Sequence, residues 1–563
     1  MKKFNDRIIL EDYESEFSYK KNKSNLNIEF NRIAFIFFVF FIISLIFLIQ
    51  LVHLGSRKVN DENKIQVINK KNHRADIIDR NGDYLVKTVS SIDIGINPSE
   101  VINKKKLLIN LRLIFPEKDF KKIKKELNKN KFFYLEKKIS EENYEKIMLL
   151  GDKSIKPEEK LTRLYPQKNL FSHIIGQIDD DNNGISGLEK TLDKRLKDEQ
   201  NPIKLTVDSD IQFLIRDELI KFQEIFRSKG SAAILMNVNS GEVISMVSLP
   251  DFDLNKREKI IDTNYINKVT KGTYELGSVF KTFTIAAGLN EKIIKPDTKF
   301  ENLPKIINPT ECEGKPIREY DMEIPSNLTV EEILIRSGNI GTVKIAQELG
   351  IERFKSFLSK IGILKPIDFD IEEVASQSNV KWRRCKLLTA SFGHGVATTL
   401  LQLAKGYAII SNGGYDIKPS LIKSEKKISR KKNKILKNGI SKEINPILRK
   451  IVSTKEGTAE QANVKGYQVG GKTGTAQQPV GGIYSRVKIN TFSSIFPTAK
   501  PKYVFIVMLE APKTSENYVY KYRNQKGGIT GTPYNTAGWT SVEVAGKIIE
   551  KIGPILATKY IEG

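Results

Sequence analysis

The sequence predicts a multidomain α+β protein carried on a single N-terminal membrane-spanning helix. Three observations lead there. The first is length, since 563 residues exceed one ordinary domain. The second is an apolar run from Ile33 to Leu54, broken only by Ser44, Gln50 and His53. The third is the texture beyond it, where short alternating apolar stretches bounded by Gly, Asn and Pro interleave with longer runs of helical period. Hydrophobic residues form 40% of the chain, enough for a packed core, and this excludes global disorder.

The apolar run comes first in order. At 1.5 Å per residue it spans roughly 33 Å, enough to cross a hydrocarbon core of about 30 Å. It is too long for a signal-peptide core, and Leu51-Val52-His53-Leu54-Gly55-Ser56 offers no small-x-small cleavage site, so it reads as an uncleaved anchor. Residues 1–32 form a polar tail before it. Flanking charge does not orient the anchor, because four basic residues stand on each side: Lys20, Lys21, Lys23 and Arg32 against Arg57, Lys58, Lys64 and Lys70.

Residues 55–200 read as a small α+β platform without evident chemistry. Asn81-Gly82 predicts a tight hairpin turn, Phe132 to Leu135 a strand, and Ser140 a helix start. Around Asn201-Pro202 the texture changes, and 201–563 reads as one larger domain. Ala232 to Val238 and Glu242 to Ser248 flank the turn Asn239-Ser240-Gly241 as a hairpin. Thr329-Val330-Glu331-Glu332 is a capping box. Lys423 to Lys437 is a solvated lysine-dense loop, Lys488 to Ile495 and Tyr503 to Leu509 are strands, and Ser541 to Ile552 is a closing helix.

Charge and composition limit the chemistry. Lys plus Arg number 92 against 67 Asp plus Glu, a net charge of +25. That balance suits nucleic acid or an anionic surface. The excess is lysine scattered along the chain, however, with no zinc-ligand spacing or nucleic-acid motif, so no nucleic-acid partner is expected. The two cysteines, Cys312 and Cys385, do not make a disulfide framework, and whether they pair stays open. His53, His73, His173 and His394 are far apart in sequence and argue neither a metal cluster nor a histidine-based triad; no metal or cofactor is expected.

A lysine-activated serine is the remaining candidate. Tyr274-Glu275-Leu276-Gly277-Ser278-Val279-Phe280-Lys281 runs into an apolar helical stretch. Positions i and i+3 share a helix face, which puts the Lys281 amine within reach of Ser278 Oγ. A serine hydroxyl needs an adjacent base, and a lysine serves when burial or a neighbouring cation lowers its pKa. Free N–H groups and the positive dipole end of the helix suit a developing anion.

Two further elements follow in fixed order, Ser337-Gly338-Asn339 and Lys472-Thr473-Gly474, at spacings of about 60 and 135 residues. This S-x-x-K, S-x-N, K-T-G set resembles that of penicillin-binding proteins and serine β-lactamases. Arg74 to Leu85, Arg163-Leu164-Tyr165-Pro166, Gly187-Leu188-Glu189, Glu456-Gly457-Thr458-Ala459 and Gly471 to Ala476 extend it, so residues 33–563 resemble a class B penicillin-binding protein. The compact pedestal and the ending around Ala537-Gly538-Trp539 are most similar to the septal, cell-division transpeptidase, ahead of its elongation-specific homologue.

The resemblance implies a membrane anchor (33–54), a pedestal of the dimerisation type (55–200) and a transpeptidase domain (201–563) with a β-lactamase-like antiparallel sheet flanked by helices. It implies a single-pass protein of the bacterial cytoplasmic membrane, its catalytic domain outside, at the division septum. Ser278 would attack the penultimate D-alanine carbonyl of a stem pentapeptide, release the terminal D-alanine and pass the acyl group to a neighbouring stem-peptide amine. Lys281 would be the base, Ser337 the proton relay to the leaving amine, and Asn339 would hold the donor backbone and help fix Lys281. Lys472 would supply charge and keep Lys281 neutral by repulsion. Thr473, Gly474 and Thr475 would line the substrate side, with backbone N–H groups of Ser278 and Thr475 as the oxyanion hole. β-Lactams would be covalent inhibitors, and a membrane glycan polymerase and other division proteins would be partners.

Two positions depart from the family pattern: Leu276 stands where proline is frequent, and Ser494 where glycine is common. A catalytically idle scaffold of the division machinery is the alternative from another class, and three intact motifs argue against it.

Overall fold

The computed structural model describes residues 23–56, 73–256, 263–313, 315–372, 381–424, 433–480, 483–521 and 527–559. Residues 1–22 of the expected tail and 425–432 of the lysine-dense stretch lie outside them. The described chain forms two units, divided after Lys71.

The first unit holds α1 (Lys23–Ser56). Within it, Arg32–His53 is long and apolar enough to cross a membrane, and large apolar side chains from Ile33 to Val52 are exposed. A helix apolar on all sides suits lipid. The helix begins ten residues before the apolar run, because backbone hydrogen bonding continues regardless of whether side chains suit lipid or water.

In the second unit, β1 (Ile77–Ile78) turns back into the long β2 (Tyr84–Ile96). Asp79 Oδ1 accepts the backbone N–H groups of Asn81, Gly82 and Asp83, and Gly82 takes a φ of +102°, so the predicted turn forms where Asn-Gly stands. Helices α2 (Lys104–Ile114) and α3 (Phe120–Asn128), strand β3 (Phe133–Glu136) and helix α4 (Glu141–Met148) follow. Leu107, Leu111, Leu127 and Ile147 from the three helices pack over Ile94 and Ile96 as a small separate core. Strand β4 (Ile155–Leu164) returns along β2, and β5 (Ile203–Lys204) pairs parallel to β1.

That last pairing matters for organisation. Ala75, Ile77, Leu85, Val86 and Tyr165 belong to the same continuous core as the large sheet beyond residue 230. The change of texture at Asn201-Pro202 therefore does not coincide with a break in packing. Nearby, Glu189 is fully buried and receives Arg74 Nη2 at 2.7 Å and Arg163 Nε at 2.9 Å. Arg163 also donates to the carbonyls of Arg74 and Ala75. Three segments distant in sequence are thus tied by one carboxylate.

Asp208 caps α5 (Ser209–Ile225). The hairpin β6 (Gly230–Asn237) and β7 (Val243–Leu249) forms as predicted. Helices α6 (Lys281–Asn290), α7 (Val330–Ile335), α8 (Asn339–Lys360), α9 (Leu400–Ser411) and α10 (Ile440–Ser453) come next, α7 with the Thr329–Glu332 capping box in place. Strands β8 (Gly470–Val480), β9 (Ile483–Phe496) and β10 (Tyr503–Glu510) complete an antiparallel sheet of order β8-β9-β10-β6-β7. The closing helix α11 (Ser541–Lys559) runs beyond the expected end at Ile552 and contains Pro554. Helices α5 and α11 pack together against the sheet, and α6, α9 and α10 form a second group. Every residue of β10 is buried, as a central strand covered on both faces requires.

Replacing Glu189 by alanine leaves two buried guanidinium groups without their shared counter-ion. Removing one partner of a buried ion pair costs about 3–5 kcal/mol. Thermal unfolding of the detergent-solubilised chain is expected to show a marked drop for Glu189→Ala. Glu199→Ala, which breaks an exposed helix pair with Arg195, is expected to change little.

Candidate active site

Ser278 lies in a 3-10 turn, Gly277–Phe280, and the α-helix proper begins at Lys281. This tighter winding brings residues i and i+3 almost into line. The turn is pressed against its neighbours by bare backbone. Gly277 has a φ of +61°, and a Cβ built there would lie 2.9 Å from the Thr475 carbonyl oxygen. A Cβ on Gly474 would lie 2.2 Å from the Leu276 carbonyl oxygen, and one on Gly393 2.1 Å from that of Gly277. Larger residues at these positions would push the nucleophile turn off β8.

Lys281 is 1% exposed. Its amine donates to the Ser337 carbonyl and lies 3.2 Å from Ser337 Oγ. Lys472, fully buried on β8, places its own amine 2.8 Å from the same Oγ. Ser337 thus sits between two buried amines. It holds a φ of +60°, a left-handed backbone that serine rarely adopts.

Burial pushes the Lys281 amine down to about 7, and the charge of Glu319 opposes that fall. Burial also pushes Lys472 well below the ordinary lysine range, with the charge of Lys281 adding to the effect. Desolvation is therefore the main reason for a neutral Lys281. Of the two causes expected from sequence, burial or a neighbouring cation, burial acts on Lys281, and the like-charge effect falls on Lys472.

The hydrogen bonds of Lys281 and Asn339 run to other groups than Ser278 and each other. Among the described residues the Lys281 amine donates to the Ser337 carbonyl and hydroxyl oxygens, the acceptors that the neighbouring turn places against it. Asn339 is held by a different neighbour. Its Nδ2 donates to the Arg318 carbonyl at 2.6 Å, since helix α8 starts at Asn339 and turns that side chain towards the neighbouring strand.

On β8, Thr473 Oγ1 is 2.8 Å from Thr458 Oγ1, and Thr475 Oγ1 accepts the Ala537 N–H at 2.9 Å. Lys472 reaches beneath them to Ser337 while also lying 3.4 Å from Thr473 Oγ1. Leu276 is fully buried, so the missing proline is replaced by packing. Ser494 is buried on β9 and donates to the Phe505 carbonyl.

Sequence reasoning assigned no role to several residues found here. Glu319 is 7% exposed and accepts the N–H groups of Asn339 and Ile340. On the other side, the His394 ring meets Phe392 and Tyr484 edge-on at 5.2 and 5.8 Å, and the Tyr484 hydroxyl donates to Glu275. Burial first, then the Lys281 charge, push His394 below its ordinary value, against the pull of Glu275. Thr458 sits in the Glu456–Ala459 landmark, the one sequence signal that could have found it. Cys312 and Cys385 form a disulfide.

Comparison with known proteins gives this geometry a family. The model of the penicillin binding protein transpeptidase domain matches residues 231–528, more than half of the chain, and that of the penicillin-binding protein dimerisation domain matches 69–218. The chain belongs to the penicillin-binding protein transpeptidase family. A Caulobacter vibrioides relative named probable peptidoglycan D,D-transpeptidase FtsI is 29% identical over 500 residues, 86% of this chain and 82% of that one. Stage V sporulation protein D of Bacillus subtilis is 29% identical over 487 residues, covering 78% and 74%. Among solved structures, penicillin-binding protein 3 of Mycobacterium tuberculosis shares the fold with a TM-score of 0.64 at 22% identity, covering 87% of this chain and 96% of that one. That protein has also been solved with aztreonam.

The buried lysine pair makes stability of this penicillin-binding protein depend on pH. An unfolded lysine binds its proton up to about 10.5, whereas folded Lys281 releases it near 7. Between those values the unfolded state holds more protons, so stability rises with pH. Unfolding temperature is expected to increase from pH 7 to 9.5, and to increase less in Lys281→Met. Equal slopes for the two proteins would contradict a depressed Lys281.

Proposed function

We propose that this penicillin-binding protein is a serine D,D-transpeptidase that cross-links peptidoglycan stem peptides through a Ser278 acyl-enzyme. The observation carrying the reading is the Ser337 hydroxyl within hydrogen-bond reach of both buried amines. Neutral Lys281 takes the Ser278 proton as Oγ attacks the penultimate D-alanine carbonyl. Ser337 then gives its proton to the departing D-alanine amine and is resupplied by a lysine beside it. A group that both accepts and donates suits that relay.

The N–H groups of Ser278 and Thr475 are the proposed oxyanion hole, supported by the close approach of the Gly277 turn to Thr475. Such donors contribute about 3 kcal/mol to lowering an acyl-transfer barrier. Thr473, with Lys472 beneath it, is the proposed seat of the terminal carboxylate. Asn339, half-buried beside Ser337, holds the donor backbone once its bond to Arg318 is exchanged. The acyl-enzyme then passes to the amine of a neighbouring stem peptide, forming the amide and freeing Ser278. β-Lactams acylate the same serine.

The finer setting is septal wall synthesis from the outer face of the cytoplasmic membrane, beside a membrane glycan polymerase and other division proteins. Its support is the relative named FtsI and the apolar helix Arg32–His53. A tagged copy is expected at mid-cell during constriction; an even distribution along the cell wall would favour the elongation role.

Fluorescent penicillin is expected to form one covalent adduct per chain, lost in Ser278→Ala. Labelling that survives the substitution would overturn the assignment. Rapid release of hydrolysed penicillin would place the chain with β-lactamases instead.

A further inference from the structure

We propose that Glu319 is a positioning residue for the Ser337–Asn339 turn and the electrostatic counterpart of Lys281. The proposal rests on the serine acyl-enzyme reading. Nothing in the three motifs points to this carboxylate, which precedes Ser337 by eighteen positions.

Helix α8 begins without a cap of its own. Its N-cap residue is Gly338, the central residue of S-x-N, which has no side chain to accept the free N–H groups of the first turn. Glu319 does so from outside the helix. Oε2 accepts the Asn339 N–H at 2.6 Å and Oε1 the Ile340 N–H at 2.8 Å. The adjacent Arg318 carbonyl accepts Asn339 Nδ2. One dipeptide therefore grips the turn whose first residue, Ser337, carries the left-handed backbone. Without that grip the turn can relax to an ordinary conformation, moving Ser337 Oγ away from the two amines.

The gripping segment is itself held. Strand residues Ile306–Ile307 pair with Ile317–Arg318, the Glu319 N–H donates to the Lys305 carbonyl, and Cys312 is joined to Cys385. Ile317, Ile324, Ile333 and Ile340 share a small core beneath it. A carboxylate so placed does not swing away.

Its charge acts on Lys281 as well. Among the described residues, Ser337 bonds that amine, Lys472 shares the Ser337 hydroxyl with it, the His394 ring feels its charge, and the Glu319 charge favours its protonated form. Glu319 thus offsets part of the effect of burial and leaves Lys281 able both to take and to return a proton; burial alone would leave it a weaker base.

The test is the rate of acylation by fluorescent penicillin against pH, with full-length protein in detergent. Glu319→Gln keeps the shape but turns an amide NH2 towards one backbone N–H and removes the charge. Its acid limb is expected to move to lower pH by roughly one unit, and its maximal rate to fall roughly tenfold, with the protein still folded at the assay temperature and its unfolding temperature lowered by only a few degrees. Glu319→Asp, which keeps the charge, is expected to retain the wild-type acid limb while losing rate. An unshifted limb in Glu319→Gln, or a rate loss matched by loss of folded protein, would overturn the proposal. Wild-type protein that fails to label would overturn the acyl-enzyme reading, and this inference with it.

Discussion

The site depends on one hydroxyl, Ser337 Oγ, being placed between two amines that have lost their water. A lysine in water is a cation and no base. Lys281 and Lys472 become useful because folding removes both from solvent and sets one hydroxyl within reach of both. The cost of burying them is borne by a wide core that runs from Ala75 to the closing helix. Chemistry at Ser278 is in this sense a property of the whole second unit.

The second constraint is close approach of backbone. Three glycines, Gly277, Gly393 and Gly474, let the nucleophile turn, the loop before Val396 and the edge strand β8 meet with no side chain between them. The K-T-G glycine is thus a spacing device, and Thr475 comes near Ser278 because Gly474 and Gly277 are bare. Leu276, one residue earlier, shows how little the turn needs proline. Buried apolar packing holds the same position.

Glu319, Arg318 and the disulfide Cys312–Cys385 form a third layer around the S-x-N turn. The pedestal has its own counterpart in Glu189, which ties Arg74 to Arg163. In both places a buried carboxylate joins segments that sequence keeps far apart.

What the amino-acid sequence determined by itself was local or periodic. The apolar helix, the Asn81-Gly82 turn, the Thr329 capping box, the hairpin on either side of Gly241 and the strands ending the chain follow from residue spacing, because each forms from neighbours along the chain. The motif order also identified Ser278, Lys281, Ser337 and Lys472 as one group. Tertiary structure alone decided the rest. It sent the Lys281 amine to Ser337 and the Asn339 amide to Arg318, decided between burial and a neighbouring cation as the cause of a neutral Lys281, paired the cysteines, and brought Glu319, Thr458 and His394 to the cleft. Those outcomes depend on which distant groups share a water-free space, and no spacing along a chain encodes that directly.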